Sequence, residues 1–595
     1  MKKKKLFAMF LAAALMVTGT ACGGGDDADG KAATVLKNGV VYTVEGEDWD
    51  KNPQETVAMG ADGSILFVGS DADAKAYIGD KTEVIDLKGN VVFPGFIDSH
   101  QHAPGTAVTQ KYSIYLSEAK TKKDAIQIIQ KFVNEYPDEE RYFGKGYLQA
   151  IGSDPRGPQK EWLDEITDKP MYLTSSDGHV RWLNSAALKE CGITAKTKVP
   201  EGGGIPLTDN GKEVWGTIAD APSLIPYTPE YTDAQYYEGF KEYQKNNHSW
   251  GYTTINAMPA ERDAALFKRM EDEGELKLRV NTGVTLAPAE DTAEIDKQIK
   301  KTVAKRDSHE TELVKYRTGK IFVDGVVEGM TAWLFEPYTK AAGRGDNYTS
   351  APLWDLDVMT YAMTELLKND FAIHCHSMGD RAIHETLNSI EKAQKANGDK
   401  DYRNSITHLQ VVASNDIPRF AELGVIASHQ VFWHTKAYEW YNLFDEPLLG
   451  KKRAEAEYPL NSFLKAGAMI SASSDHSVTP VPYPFFAIEA GVTRNMYNLE
   501  QCGAFKEIKN MDDYMDEQVL NAGERVTVKD MIQAYTMNNA YQMEREDEIG
   551  SLKAGKKADI IVVDSDPFKA DPVRIDEVKL LTTYFNGKAV YKAGS

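Results

Sequence analysis

The stretch Val91-Val-Phe-Pro-Gly-Phe-Ile-Asp-Ser-His-Gln-His102 decides the fold. It begins as an apolar run, typical of one buried strand, and turns polar abruptly at Asp98, His100 and His102. Residues i and i+2 of a strand point to the same side, so the two histidines can place two imidazoles together at the C-terminal end of that strand. Neutral imidazoles that converge on one point are typical zinc ligands. The alternative is a pair of exposed loop histidines, which the apolar strand before them disfavours.

Seven further strand-like segments follow this stretch, and helical patterns alternate with them. The segments are 251–256, 278–283, 320–324, 371–376, 404–408, 425–429 and 469–475. Eight βα units predict an α/β fold, the (β/α)8 TIM barrel, whose active site lies at the C-terminal ends of the strands. Residues 105–250, between the first two strands, form a large insertion.

Both ends of the chain have a different pattern from its middle. Short strands separated by turn residues fill residues 33–90, and the same pattern returns in 541–595. A chain of 595 residues is expected to form more than one module. We therefore predict a small β-sandwich built from both ends, next to a barrel domain of residues 91–540.

The N-terminus carries a targeting signal. Lys2–Lys5 precede the apolar run Leu6–Val17, which is too short to span a bilayer as a helix. Ala21-Cys22 resembles a bacterial lipoprotein cleavage site, which makes residues 1–21 a signal peptide, Cys22 the lipidated residue and 22–32 a flexible polar tether. An ordinary secretory signal cut nearby is the alternative. We expect an extracytoplasmic protein that is lipid-anchored to the cell membrane of a bacterium.

Composition excludes some classes of partner. The formal net charge of −21 argues against nucleic acid as a ligand. Besides Cys22 the chain has Cys191, Cys375 and Cys502, and this odd number disfavours a disulfide framework, although one bridge stays open. The oligomeric state stays open as well.

Further polar residues follow later strands of the predicted barrel. His376 ends the fifth strand, His408 ends the sixth and Asp475 ends the eighth. With His100 and His102 they would bring four imidazoles and a carboxylate to one barrel mouth. Such a set predicts a metal centre there.

Several motifs resemble the amidohydrolase superfamily of metal-dependent hydrolases, and its YtcJ-like branch in particular. They are residues 92–102, Ser176-Asp-Gly-His179, Leu183–Leu188, Lys320–Gly325, His376–Ala382, Ser474-Asp475 and Ile549–Asp559. The resemblance covers nearly all of the chain after the tether. It implies the TIM barrel and the hydrolysis of a carbon–nitrogen bond, other than a peptide bond, in a small molecule.

The resemblance also assigns a role to Lys320. In some members of the superfamily a lysine on the fourth strand is carbamylated and bridges two metal ions, here expected to be zinc. The alternative is a strand-entry lysine that reaches solvent, in which case the site holds one metal, with Glu328 as a further acidic candidate. His374 shares a strand face with His376 and is expected to support the site by a hydrogen bond.

The insertion is large enough to cover the barrel mouth and enclose a small substrate. The expected substrate contacts are Asp177, His179, Arg181 and Trp182 in the insertion and His429 after the seventh strand. Arg181 or His179 would fix a polar end of the substrate beside an aromatic wall. The alternatives are loop-capping roles for Asp177 and His179 and a salt bridge of Arg181 within the insertion.

The chemistry implied by these residues is hydrolysis by metal-activated hydroxide. Metal ions lower the pKa of a bound water, and Asp475 would accept its proton and return it to the leaving nitrogen. A deaminase with one metal on the same fold is the nearest alternative. A solute-binding lipoprotein is a remote one, since it predicts two α/β lobes and gives no reason for ligands at strand ends.

Overall fold

The computed structural model describes residues 30–594 except 118, 148–150, 152–153, 155, 176–179, 200–203, 220, 259–262, 399 and 496–518. The predicted signal peptide, Cys22, Asp177, His179 and Cys502 therefore lie outside the described residues. Within them, Cys191 and Cys375 are free thiols. None of the helices in the described part is long and apolar enough to cross a membrane.

Eight parallel strands form the central sheet, and each is hydrogen-bonded to the next one in the sequence. They are β1 (Phe96–Gln101), β2 (Tyr252–Ala257), β3 (Arg279–Thr285), β4 (Val314–Phe322), β5 (Ala372–Ser377), β6 (Ser405–His408), β7 (Ile426–His429) and β8 (Ile470–Ala472). A parallel bridge from Gln101 to His476 brings the first and last strands together, so the barrel is nearly closed. The predicted TIM barrel is confirmed.

Helices surround the barrel. They are Asp233–Ser249, Asp263–Asp272, Thr292–His309, Leu356–Lys368, Asp380–Asn397, Ile417–Leu423, Leu460–Lys465, Pro484–Thr493, Val528–Ala534 and Met537–Gln542. In the helix Leu356–Lys368 the side chain of Asp355 caps the first turn by accepting from the backbone N–H of Val358. Its buried residues recur at three- and four-residue spacing, which directs one face onto the barrel and the next helix.

Two further sheets form the β domain beside the barrel. One contains Ile65–Gly69, Thr56–Met59, Thr34–Lys37 and Glu83–Asp86. The other contains Val40–Val41, Val91–Pro94, Ile560–Val563, Leu580–Phe585 and Lys588–Lys592. The second sheet thus combines strands from both chain ends, and the two sheets enclose a shared apolar core.

The opening stretch of the sequence is two strands, and the expectation of one strand was wrong. Val91–Pro94 pairs with Ile560–Val563 in the β domain, and the barrel begins only at Phe96. Gly95 lies between the two strands. This position requires glycine, because a Cβ atom there would collide with the side chain of Thr253. The predicted boundary at residue 91 is therefore displaced by one strand.

The insertion has a five-stranded sheet of its own. In spatial order the strands are Thr217–Ala219, Val180–Leu183, Met171–Ser175, Tyr142–Tyr147 and Ile114–Tyr115. The helix Lys122–Glu135 packs on this sheet, and Trp182 lies in the buried core between them. The insertion is therefore a small packed module with its own core.

Candidate metal centre and active-site cavity

Histidines and one aspartate converge at the C-terminal mouth of the barrel. One ligand atom each from His100, His408 and Asp475 lie within 4.8 Å of one another. The Oδ1 atom of Asp475 is 3.3 Å from Nε2 of His100 and 3.2 Å from Nε2 of His102. The ring centres of His376 and His408 are 4.4 Å apart. These five residues, the metal-ligand cluster below, come from β1, β5, β6 and the turn after β8.

Backbone conformation turns two of these side chains into the mouth. His408 has a φ of 81° and Asp475 has a φ of 54°, a left-handed conformation that residues other than glycine rarely adopt. Such strain persists where the surrounding structure enforces it, and it is concentrated at functional sites. Here the N–H of Asp475 donates to the carbonyl of His100 at 2.9 Å, which joins the turn after β8 to β1.

Buried hydrogen bonds fix which ring nitrogens face the centre. The Nδ1 atom of His408 is 2.7 Å from Oε1 of Gln430, whose Nε2 in turn donates to the hydroxyl of Ser473. An amide oxygen only accepts, so His408 carries its proton on Nδ1 and leaves the Nε2 lone pair available. Gln430 thereby fixes the orientation of the His408 ring, as outer hydrogen-bond partners do for the histidines of metal sites.

A similar arrangement supports His100. Its Nδ1 atom is 2.7 Å from Nε2 of His374, and Nδ1 of His374 is 2.7 Å from the hydroxyl oxygen of Ser405. If His100 donates from Nδ1, its Nε2 lone pair faces Asp475 and the centre of the cluster. His374 thus has the supporting position that its strand face predicts.

Lys320 lies on β4, opposite His374 of β5 in the strand register. Its side chain is completely buried, its Nζ atom has no hydrogen-bond partner among the described residues, and the centre of the Phe322 ring is 4.7 Å from that atom. Burial lowers the pKa of the Lys320 ammonium to about 7. In a large fraction of the molecules Lys320 is therefore a neutral, nucleophilic amine at neutral pH.

The cluster has the properties of a divalent-metal site. His100 Nε2 and Asp475 Oδ1 are buried without a hydrogen-bond partner, which costs about 1–3 kcal/mol for each group. Burial, followed by the charge of Lys320, lowers the pKa of His376 to about 4, so its imidazole is in the neutral form that binds metals. A cation between them would satisfy both orphaned atoms.

The carboxyl group of Asp475 stays ionised despite its burial. Burial by itself raises its pKa, but the side chain of His102, at 3.2 Å, and the electrostatic influence of His408 and Lys320 outweigh this and lower it. Asp475 is thus a carboxylate that can both contact a cation and accept a proton.

A cavity of about 450 Å³ opens onto the cluster at His376, His408 and Asp475. Its aromatic wall consists of Phe432, Trp433, Trp440 and Tyr458, and its polar lining includes Glu328, Gln410 and Asp445. The Trp433 ring stacks on the His408 ring, with centres 5.6 Å apart and planes 8° from parallel. Among the described lining residues none belongs to the insertion.

Sequence reasoning missed most of this lining. Apart from the expected ligands His376, His408 and Asp475, only Glu328 was considered, as a metal ligand, and it lies in the cavity wall. The available signal was position, because the lining residues lie in loops after β4, β6, β7 and β8, where active-site residues of TIM barrels occur.

Two expected substrate contacts do not reach this cavity. Trp182 is fully buried in the core of the insertion, where its Nε1–H donates to the carbonyl of Gln159. His429 packs against Phe463 and His434, because the alternation along β7 directs Ser428 into the barrel and His429 outward. Neither side chain is part of the lining of this cavity.

Arg181 lines a different and smaller cavity. That cavity has a volume of about 190 Å³ and lies within the insertion, where Lys145, Tyr172 and Tyr227 also contribute to its lining. The roles expected for Asp177 and His179 concern positions outside the described residues.

Comparison with known proteins agrees with this geometry. The sequence profile of the amidohydrolase family matches residues 83–591. The chain is 26% identical over 568 residues to YtcJ of Bacillus subtilis, named provisionally as an amidohydrolase, with 94% of this chain and 99% of that protein covered. It is 24% identical over 578 residues to an N-substituted formamide deformylase of Arthrobacter pascens, covering 94% and 98%.

A solved structure has the same fold. An uncharacterised metal-dependent hydrolase of Pyrococcus furiosus superposes with a TM-score of 0.67 at 22% identity, over 90% of this chain and 100% of that one. The resemblance drawn from the sequence motifs is confirmed.

Proposed function

Since the chain belongs to the amidohydrolase family, and is thus a hydrolase acting on carbon–nitrogen bonds, we propose that it cleaves an amide or cyclic amide, other than a peptide, in a small molecule. The observation that carries this proposal is the buried convergence of His100, His408 and Asp475 at the floor of an open cavity. A cavity of this size holds a small molecule, whereas a protein substrate requires an open groove.

The metal-ligand cluster would hold the metal, and we expect two zinc ions with carbamylated Lys320 between them. Such ions, when bound, lower the pKa of water and polarise a carbonyl group. Carbamylation joins the neutral Lys320 nitrogen to the carbon of carbon dioxide and releases one proton, which leaves an anionic oxygen ligand. The burial of Lys320, its lowered pKa and its unpartnered nitrogen support this reaction.

Asp475 would move the proton. Its carboxylate is buried, contacts His100 and His102, and forms part of the cavity lining. It would take a proton from the attacking water and deliver it to the leaving nitrogen. Gln430 and His374 would hold the ligand rings in place, and Trp433 would keep bulk water from His408.

The substrate class is narrowed by the relatives. The formamide deformylase aligns with nearly the whole chain, which supports a formyl or other short acyl group on a small amine. A panel of formamides, short acyl amides, cyclic amides, dipeptides and aminated rings, assayed for amine and ammonia release with zinc present, tests this. Release confined to dipeptides would overturn the proposal, and ammonia from aminated rings alone would make the enzyme a deaminase.

The proton transfer is tested by Asp475→Asn. Loss of a general acid–base group costs roughly 10²–10⁴-fold in kcat. The control is Asp346→Asn, because Asp346 is an exposed carboxylate of the same type. Elemental analysis of both variants separates lost chemistry from lost metal. An unchanged kcat in Asp475→Asn would place the proton transfer on another group.

For the N-terminus we propose lipidation of Cys22 after removal of residues 1–21. A single acyl chain binds membranes weakly, so stable attachment needs two. Mass spectrometry of the mature protein is expected to find a diacylated cysteine at its first position. An unmodified N-terminus elsewhere would indicate a freely secreted enzyme.

A further inference from the structure

One wall of the active-site cavity carries an unusual concentration of carboxyl groups. Glu328, Gln410 and Asp445 line it, and Glu457 lies directly behind Gln410. The Nε2 group of Gln410 donates to Oδ1 of Asp445 at 3.1 Å and to Oε1 of Glu457 at 2.8 Å. We call Glu328, Asp445 and Glu457 the acidic cluster. Its members follow β4 and β7, and Gln410 follows β6.

The acidic cluster has no ion pair within the described part of the chain. The guanidinium of Arg494 acts on Glu457 electrostatically, but its hydrogen bonds go to the carbonyls of Leu520 and Glu457 and to the ring of His434. The backbone carbonyl of Glu457, and not its carboxylate, receives that contact. Two of the three carboxyl groups, those of Asp445 and Glu457, therefore share one amide donor.

Two acceptor atoms in this wall are buried without any partner. They are Oε1 of Gln410 and Oε2 of Glu457, on residues that are 2% and 1% exposed. Unpaired buried acceptors are rare in folded proteins, because each forfeits its hydrogen bonds to water. Among the described residues, no donor reaches either of these two atoms.

The pKa values of the acidic cluster are raised, as expected where no cation is close to the carboxyl groups. Burial, followed by the charge of Glu328, raises the pKa of Asp445 to about 7. Burial, followed by the charge of Asp445, raises the pKa of Glu457 well above its ordinary value. A cation beside these groups would relieve both effects.

The aromatic wall completes a site for such a cation. Phe432, Trp433 and Tyr458 present rings to the same cavity, and Trp440 stands at its rim with 53% of its surface exposed. Aromatic faces attract ammonium groups, and Trp attracts them most strongly. Carboxylates and aromatic rings around one cavity are the surroundings in which amine cations are bound.

We propose that the acidic cluster and the aromatic wall bind a positively charged amino group of the substrate, so that the enzyme acts on amides of molecules that carry a second, cationic nitrogen. The reaction in this statement rests on the proposed function, whereas the cation site stands on the cavity itself. The inference replaces the expectation that Arg181 receives a polar end of the substrate.

Binding is tested on the purified holoenzyme with two probes of equal shape. Phenethylammonium carries the cation, and 2-phenylethanol replaces it by a hydroxyl. Calorimetric titration is expected to give at least tenfold tighter binding of the ammonium, and Asp445→Asn and Glu328→Gln are each expected to remove most of that difference. Asp346→Asn is the matched control and should keep it. Equal affinities for the two probes, or a preference that both cavity variants retain, would overturn the proposal.

Turnover is tested with three formamides of similar length. N-formyl-1,4-diaminobutane is cationic, N-formylpentylamine is neutral and N-formyl-5-aminopentanoate is anionic. The expected order of kcat/KM is cationic, neutral, anionic, with at least tenfold between the first two and a smaller ratio in Asp445→Asn. Circular dichroism and metal content identify variants that fail to fold, and Glu328→Gln provides a second variant.

The two proposals fail in different ways. If no amide is cleaved while the ammonium probe binds selectively, the proposed reaction is wrong and the cation site stands. If neutral and cationic formamides are cleaved equally well, the cation site is wrong and the proposed reaction stands.

Discussion

Replacing Asp445 by Asn should make the protein more stable, and increasingly so as the pH rises. Burial and the charge of Glu328 raise the pKa of Asp445 from an ordinary value near 3.8 to about 7. A difference of about three in pKa corresponds to ~4 kcal/mol of unfavourable free energy when the group is ionised. Asn keeps the oxygen that accepts from Gln410 and removes the charge.

The direction of the pH dependence of stability follows from the protons bound by the folded and unfolded states. Between about pH 4 and pH 7 the folded protein holds a proton on Asp445 that the unfolded chain has already released, so stability falls as the pH rises. Above pH 7 both states are ionised and the full penalty persists. The gain from Asp445→Asn should therefore grow from ~1 kcal/mol near pH 4.5 to ~4 kcal/mol at pH 8 and then level off.

Scanning calorimetry of the metal-free wild type and variant, at several pH values, measures this. Phenethylammonium at about a hundred times its dissociation constant should stabilise the wild type by ~2.7 kcal/mol and the variant much less. A variant that is equally or less stable at pH 8, or whose gain is the same at pH 4.5 and pH 8, would refute the reasoning.

Three further changes have definite expected outcomes. Lys320→Ala should lower the bound zinc, measured by elemental analysis, from two ions to one per chain and remove most activity. Added bicarbonate and a short-chain acid should restore part of that activity. Full activity in the variant would show that Lys320 has only a structural role. His374→Ala should weaken zinc binding about 10–100-fold in chelator competition, because His100 loses its orienting partner; unchanged affinity would assign His374 to packing alone. Gly95→Ala should lower the free energy of unfolding by about 1–3 kcal/mol, measured by thermal unfolding, because the added Cβ meets Thr253. The control Gly523→Ala has open space at its Cβ and should be nearly neutral. Equal effects of the two substitutions would contradict the packing argument.

The sequence predicted the barrel and the histidines at its mouth because both depend on local patterns. An apolar strand that ends in a histidine is readable at His100, His376 and His408, and the structure brings these side chains to one mouth. The break at Gly95 was not readable, since it depends on the pairing of Val91–Pro94 with Ile560–Val563, which lies far away in the sequence.

The directions of single side chains explain why His429 and Trp182 do not lie where the sequence predicted. Whether His429 faces the barrel interior depends on the register of β7, which one residue of shift would reverse. Trp182 likewise belongs to an alternating strand whose buried side faces the core of the insertion. The acidic cluster joins loops that are far apart in sequence, so no local pattern indicates that Glu328 and Asp445 share a wall.

The sheet that combines both chain ends has a consequence for synthesis. Val91–Pro94 pairs with Ile560–Val563, a strand that is made about 470 residues later. At roughly 5–20 residues per second this edge waits roughly 25–95 s for its partner on the ribosome. During that interval its unpaired backbone and apolar side chains can pair with another nascent chain. Chaperone binding to the N-terminal segment would therefore raise the yield of folded enzyme. Slower translation initiation, which spaces the ribosomes further apart on one messenger RNA, would have the same effect. A chain truncated before Ile560 would leave that edge permanently open to aggregation and proteolysis.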